Sequence, residues 1–299
     1  MELCIGTVQF GMDYGIKNQK QPSLEDSVKM LDFATQNGIK TIDTAHAYGT
    51  AEDVVGEFLK SKTINRSNLF ICSKFKPNDL DDINSNNYKK VINEHLEYQL
   101  KRLNTDYLDS YLFHSSRYAF DDEKLEAMHE LKKDGKVRHC GVSVYYPNEA
   151  KRCIESPYVD FIQLPASIFD QRMKNEGVFD LALQNKTTQI HSRSAFIQGL
   201  ITMKEDEVPQ FLLGARPIIN KVDMLCKEYN LSRIELALLY MKQFEAISHV
   251  VFGVDNIEQL KEDIKIFEKD LSKDILLEIS KDFENIEANI FMPSLWVKE

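Results

Sequence analysis

The chain holds 299 residues, 43% apolar and 28% charged, with 37 basic against 47 acidic side chains for a formal charge of −10. That composition can bury a core, and the length exceeds an ordinary domain of about 100–200 residues, so either two domains or one large single-domain architecture is required. The acidic balance, with no segregated basic patch, argues against nucleic acid or an anionic membrane as partner. No apolar run approaches the roughly 18–20 residues that span a bilayer, and the first residues read as a strand rather than a basic-then-apolar signal peptide, so a cytoplasmic protein is expected. Five scattered cysteines, Cys4, Cys72, Cys140, Cys153 and Cys226, include no Cys-x-x-Cys pair and are expected to be buried free thiols.

In chain order, β-like runs are expected at residues 3–5, 41–43, 69–72, 107–113, 137–142, 159–163, 188–191 and 249–251. Amphipathic helical segments fall between them at 24–36, 50–60, 89–103, 123–133, 149–154, 179–184, 217–228 and 233–242, and others follow at 257–267 and 275–284. The first closes on Asn37-Gly38, and the second opens on Thr50 as N-cap with Glu52 in its first turn. Residues 77–87, rich in Asp and Asn, read as a long polar loop. Strand and helix alternate about every thirty residues, as in a (β/α)8 barrel. The expected fold is therefore α/β: a single (β/α)8 TIM barrel over residues 1–299, with extra helices before strand eight and at the C-terminus. A doubly wound sheet would carry Gly-x-Gly-x-x-Gly after strand one; here Gly6, Gly11 and Gly15 have the wrong spacing.

Chemistry in a barrel sits at the carboxyl ends of the strands. Strand two delivers Asp43 and turns through His46 to Tyr48; strand three delivers Lys74 and strand four His114. Strands five to eight deliver Ser143, Gln163, Arg193 with Ser194, and Gly253. Taken singly, Asp43 and Lys74 also suit a structural ion pair, His114 a satisfied core histidine and Tyr48 a loop aromatic. Together, at the ends of three neighbouring strands, they serve no packing purpose. A tyrosine hydroxyl titrates near ~10, and a neighbouring ammonium lowers that value. Lys74 is the candidate neighbour, Asp43 would keep it charged, and His114 would orient a carbonyl oxygen. Such a device protonates a carbonyl oxygen while a hydride attacks the carbon, which a nicotinamide supplies most simply.

These residues resemble the aldo-keto reductase superfamily. The likeness runs through Gly6-Thr7-Val8-Gln9-Phe10-Gly11, Asp43-Thr44-Ala45-His46-Ala47-Tyr48-Gly49 with Glu52, Lys74, His114, Gly141-Val142-Ser143, Gln163, Arg193-Ser194-Ala195-Phe196-Ile197-Gln198-Gly199-Leu200 and the segment from Gly253. The resemblance implies an NAD(P)H-dependent oxidoreductase that reduces an aldehyde or ketone to an alcohol. It binds the extended dinucleotide across the carboxyl face without a Rossmann motif. Tyr48 would be the proton donor, Lys74 and Asp43 its tuning pair, and His114 the carbonyl-orienting group. Gly6 and Thr7 would approach the cofactor from strand one, Ser143 and Gln163 would hold the carboxamide, and Arg193 would lie near the ring. Ser194, Gly199 and Leu200 would follow the pyrophosphate, and Gly253, Asp255 and Gln259 would complete the cofactor site.

Two positions depart from the family pattern. Val144 stands where relatives commonly place a carboxamide-binding Asn. In residues 253–263, after strand eight, only Lys261 is basic, while Asp255 and Glu258 would repel a 2′-phosphate, which leans the choice between NADPH and NADH towards NADH. No metal is expected, because Lys133 stands where the zinc motif opened by His129-Glu130 needs a second histidine. Two rival readings are a Schiff-base lyase using Lys74, which would need that lysine neutral, and a catalytically weak or inactive dinucleotide-binding regulatory protein on the same barrel. His46 is expected to face solvent, and the aromatic-bearing tail 291–296 either to fold over the rim or to make an intermolecular contact. The expected partner is a small-molecule carbonyl substrate, whose identity, like the oligomeric state, is not legible in the chain.

Overall fold

The computed structural model describes residues 1–297, so residues 298 and 299 of the expected 1–299 barrel lie outside the described residues. Eight parallel strands close in sequence order into a barrel: β1 (Glu2–Gly6), β2 (Thr41–Asp43), β3 (Phe70–Phe75), β4 (Leu108–Phe113), β5 (Val137–Ser143), β6 (Phe161–Pro165), β7 (Gln189–Arg193) and β8 (Ile247–Phe252). The ring closes through β1 against β8, with Cys4 opposite Val251.

The outer ring includes helices Leu24–Gln36, Ala51–Lys60, Tyr88–Leu103, Asp122–His129, Pro147–Glu155, Val178–Asn185 and Ile257–Phe267. Arg216–Tyr229 and Arg233–Met241 fill the long connection before β8, and Lys273–Asp282 follows the last crossover, as the sequence led us to expect. No helix among the described residues is long and apolar enough to cross a membrane.

Each strand buries both faces, as parallel barrel strands do. Outward side chains such as Ile71, Tyr111 and Ile162 join the helices in one large cluster, while Cys72, Leu112 and Phe161, with Phe70 against them, pack inside the barrel. His191 is fully buried, its ring 4.5 Å from Phe161 and 4.4 Å from His249.

Several boundaries differ from the expected ones. β3 continues to Phe75, so Lys74 lies within a strand rather than after one, because it pairs with Leu112 of β4. β6 begins at Phe161 rather than 159, since Val159 N–H turns back to the Ser156 carbonyl. The helix expected over 123–133 ends at His129 and tightens to a 3₁₀ segment, Glu130–Asp134, which Gly135 closes at φ 74°. Thr50 does not cap its helix with its side chain. Its hydroxyl instead donates to the Gly11 carbonyl at 3.3 Å. A one-turn helix, Val8–Gly11, follows β1 where the sequence pattern showed no element.

Candidate active site

The strand register brings the polar residues to one level. Asp43 ends β2 opposite Gly6 of β1 and Cys72 of β3, and Ser143 ends β5 opposite Gln163. The turn beyond β2 is tied to β3 by the Thr44 N–H to the Cys72 carbonyl (2.9 Å) and the His46 N–H to the Lys74 carbonyl (3.2 Å). Tyr48 is then fixed by its N–H to the Ala45 carbonyl (3.1 Å) and by the Ala51 N–H donating to its own carbonyl (3.0 Å). Gly11 passes close beneath this turn: a Cβ there would lie 1.8 Å from the Tyr48 carbonyl oxygen.

Lys74 is completely buried and donates to Asp43 Oδ1 at 2.6 Å and to the Thr44 carbonyl at 3.0 Å. Burial alone would lower its ammonium, but the Asp43 carboxylate, with Tyr48 and Cys72, outweighs that and holds it above the usual lysine value. It is therefore a fixed cation, 5.1 Å from the centroid of the Tyr48 ring. The expectation that Lys74 lowers the Tyr48 hydroxyl is met only as one contribution. Burial is larger, Asp43 adds to it, and the hydroxyl is pushed up to about 12, so Tyr48 keeps its proton at neutral pH. His114 meets Tyr48 edge-on with ring centroids 5.7 Å apart. Burial first, then the charges of Lys74 and Arg193, drop its pKa to about 3, leaving a neutral imidazole whose Nδ1 is buried without a hydrogen-bond partner.

Behind Lys74 lies a polar network that the sequence reading missed. Ser73 and Gln99 donate to Glu52 Oε1 at 2.7 and 2.5 Å, Gln99 also donates to the Lys74 carbonyl at 3.1 Å, and Tyr111 donates to Gln99 Oε1 at 2.6 Å. Arg102 closes the network on Glu52 Oε2 at 3.0 Å. The signal was present: Gln99 interrupts the buried stripe Ile92, Leu96, Leu100 and Leu103 of its helix.

A cavity of about 460 Å³ opens above this floor. Gly6, Asp43, Tyr48, His114, Gln163, Arg193, Ser194, Gly199, Gly253, Asp255 and Gln259 line it. Lys74 sits just beneath. Thr7, Ser143 and Leu200 are buried behind the wall, and the Thr7 hydroxyl is spent on the Asp43 carbonyl at 3.0 Å. Gln163 donates from Nε2 to Asp43 Oδ1 at 2.7 Å, leaving its Oε1 buried and unpartnered. Val144 is buried and presents only its carbonyl, which accepts from Arg193 Nη2 at 3.1 Å. Beyond β7 the chain takes left-handed conformations at Ser194, Ile197, Gln198 and Gly199, costly for a β-branched residue such as Ile197 and typical of a loop shaped for a ligand.

Tyr14, Tyr145, Gln198 and Asp263 also line the cavity without having been singled out. Asp263 stands on the buried stripe between Leu260 and Ile266; burial and Glu262 push it up to about 7, and its Oδ1 has no partner. Pro293 and Ser294 reach the cavity, so the tail does fold over the rim, with Trp296 Nε1–H donating to the Asn289 carbonyl at 3.0 Å. His46 does not simply face solvent. It is half-buried between His95 and Tyr98, with its Nδ1 enclosed.

The residues present fit an extended dinucleotide. The cavity runs from Tyr48 and His114 to the start of helix Ile257–Phe267, and it is bordered at its two ends by Gln163 and Asp263, whose Oε1 and Oδ1 are buried and lack partners.

The model of the Aldo/keto reductase family matches residues 2–281. The chain is 29% identical over 260 residues to the uncharacterized oxidoreductase YqkF of Bacillus subtilis, covering 80% of this chain and 81% of that one. It is 28% identical over 268 residues to the NADH-specific methylglyoxal reductase of Escherichia coli, covering 79% and 80% respectively. In structure it is similar to the holo form of aldo-keto reductase AKR11C1 from Bacillus halodurans, with a TM-score of 0.77 and 22% identity over 98% of this chain and 95% of that one. Barrel, rim constellation and a family match over nearly the whole length agree, and the chain belongs to the aldo/keto reductase family.

Proposed function

We propose that this oxidoreductase reduces an aldehyde or ketone to an alcohol using a reduced nicotinamide dinucleotide, within one barrel domain spanning residues 1–299. The observation that carries the reading is the buried Asp43–Lys74 pair set beneath a protonated Tyr48 with neutral His114 alongside. Held along the cavity between Gln163 and Asp255, a reduced dinucleotide would supply a hydride for the carbonyl carbon. Tyr48 gives its hydroxyl proton to the carbonyl oxygen as negative charge develops there, and the fixed Lys74 ammonium stabilises the phenolate left behind. His114, neutral, donates an N–H to the same oxygen and sets its position. Asp43 holds Lys74 charged, which also removes the neutral amine that a Schiff-base lyase requires. Gln163, with its free Oε1, is suited to accept from the carboxamide amide.

NADH is the preferred form in this reading. The only cationic side chains on the cavity wall among the described residues are Lys17, paired with Glu207, and Arg193. The strand-eight end presents Asp255 and Asp263, and Lys261 stands over the Phe33 ring instead. Both carboxyls suit a ribose hydroxyl, and Asp255, with Asp263 where that is ionised, opposes a 2′-phosphate.

The test is steady-state oxidation of NADH and NADPH with methylglyoxal and a panel of aldehydes and ketones. Turnover with a higher kcat/KM for NADH is expected. Tight dinucleotide binding with no turnover on any carbonyl would favour the regulatory alternative.

A further inference from the structure

Arg193 is the feature of the cavity whose charge has no counterpart. It is the last residue of β7 and lines the cavity wall. Its hydrogen bonds go to neutral acceptors, the Val144 carbonyl at 3.1 Å and Ser194 Oγ at 3.3 Å, and its guanidinium lies 4.3 Å from the centroid of the Tyr145 ring. No carboxylate of the described residues is within ion-pair distance of it, whereas the Lys74 charge is matched by Asp43. Tyr48 and His114 are neutral, so the floor of the site carries a net positive charge located at Arg193. That charge reaches the reacting groups: it acts to lower both the Tyr48 and the His114 pKa.

The ring must sit within this field. Hydride transfer needs the donor carbon about 3–3.5 Å from the carbonyl carbon, whose oxygen is held by Tyr48 and His114. Loss of the hydride, one proton with two electrons, to the carbonyl carbon converts a neutral dihydropyridine ring to a pyridinium cation. The Tyr48 proton passes to the carbonyl oxygen, completing the alcohol and leaving a phenolate that solvent reprotonates. Once that proton is restored, the only lasting change of charge at the floor is one positive unit on the ring.

We infer that Arg193 discriminates between the redox states of the cofactor, repelling the oxidised, cationic ring and so favouring reduced-cofactor binding and release of the oxidised product. The inference rests on the reductase reading and extends it, since it assigns the preference for the reduced over the oxidised cofactor to one uncompensated guanidinium. A ligand can bias two states only through its differential interaction with them, and here the differential is a unit charge on the ring near the half-buried Arg193 cation.

The experiment is fluorescence titration of wild type, Arg193→Met and Arg193→Lys with NADH and NAD⁺, and with the phosphorylated pair, at pH 7.5 without substrate. Wild type is expected to bind the reduced form more tightly. Arg193→Met should cut the ratio Kd(oxidised)/Kd(reduced) about tenfold, and Arg193→Lys, which keeps the charge, should retain most of it. If Arg193→Met weakens both forms equally, or leaves the ratio as it was, the guanidinium serves shape or phosphate binding and the inference is overturned. A ratio lost equally in Arg193→Lys would assign the effect to the planar group rather than the charge, and overturns it as well. Failure of wild type to bind any reduced dinucleotide would instead remove the reductase reading beneath it.

Discussion

Lys74 shows how one side chain links stability to chemistry. Withdrawing an ammonium from water costs several kcal/mol, and here the cost is offset by Asp43 at 2.6 Å and the Thr44 carbonyl at 3.0 Å. Lys74→Met would leave the Asp43 carboxylate buried with Gln163 as its remaining side-chain donor, and urea unfolding should show a loss of about 3–5 kcal/mol, partly recovered in the double variant with Asp43→Asn. In the same variant, alcohol oxidation, which needs the Tyr48 phenolate, should suffer more than carbonyl reduction. The four rim residues were legible in the sequence because a barrel places chemistry at strand ends: Asp43, Lys74 and His114 close or follow apolar runs, and Tyr48 lies in the turn beyond one. Tyr14, Tyr145 and Asp263 were not, since they reach the cavity through loop paths and a helix face that spacing alone does not trace.

At the level of elements, the position of Tyr48 depends on a contact between two segments. The one-turn helix Val8–Gly11 packs under the turn after β2, where the Gly11 carbonyl accepts from the Thr50 N–H at 3.1 Å. Gly11→Ala has no room for its methyl group, with the Tyr48 carbonyl oxygen at 1.8 Å and the Ala51 nitrogen at 2.5 Å from an added Cβ, so the turn must move. A displacement near 1 Å can cost about a hundredfold in rate. Carbonyl reduction by Gly11→Ala should therefore fall by about that factor while far-ultraviolet circular dichroism remains that of the barrel. The sequence did not reveal this element, because four residues are too few to display a period. Strand identities were readable from apolar runs, whereas the ends of β3 and β6 were set by pairing with neighbours, which a single segment does not encode.

For the whole molecule, the balance of buried titratable groups fixes the response to acid. Burial holds His114, His191 and His249 below the ordinary histidine value, so each binds a proton more readily in the unfolded chain. Their contribution to stability is present above the unfolded value of about 6.5 and is lost as pH falls below it. Asp263, raised to about 7, and the buried Glu52, also raised, act in the opposite sense, losing stability as pH rises through their raised values, but they are two groups against five, since burial lowers His46 and His95 as well. The melting temperature should fall between pH 7 and pH 5, and His191→Phe, which removes one buried imidazole from the barrel interior, should flatten that fall. The length of 299 residues is accounted for by eight strand–helix units, the helices before β8 and the C-terminal helices and tail. The acidic bias of the chain recurs at the strand-eight end of the cavity, where it bears on cofactor choice. The central claim, that Tyr48 donates the proton in a hydride-transfer reduction, is tested most directly by Tyr48→Phe, measured both for carbonyl-dependent NADH oxidation and for NADH binding by fluorescence. The account predicts a loss of turnover of about 10²-fold or more with Kd nearly unchanged; turnover retained at the wild-type level would contradict it.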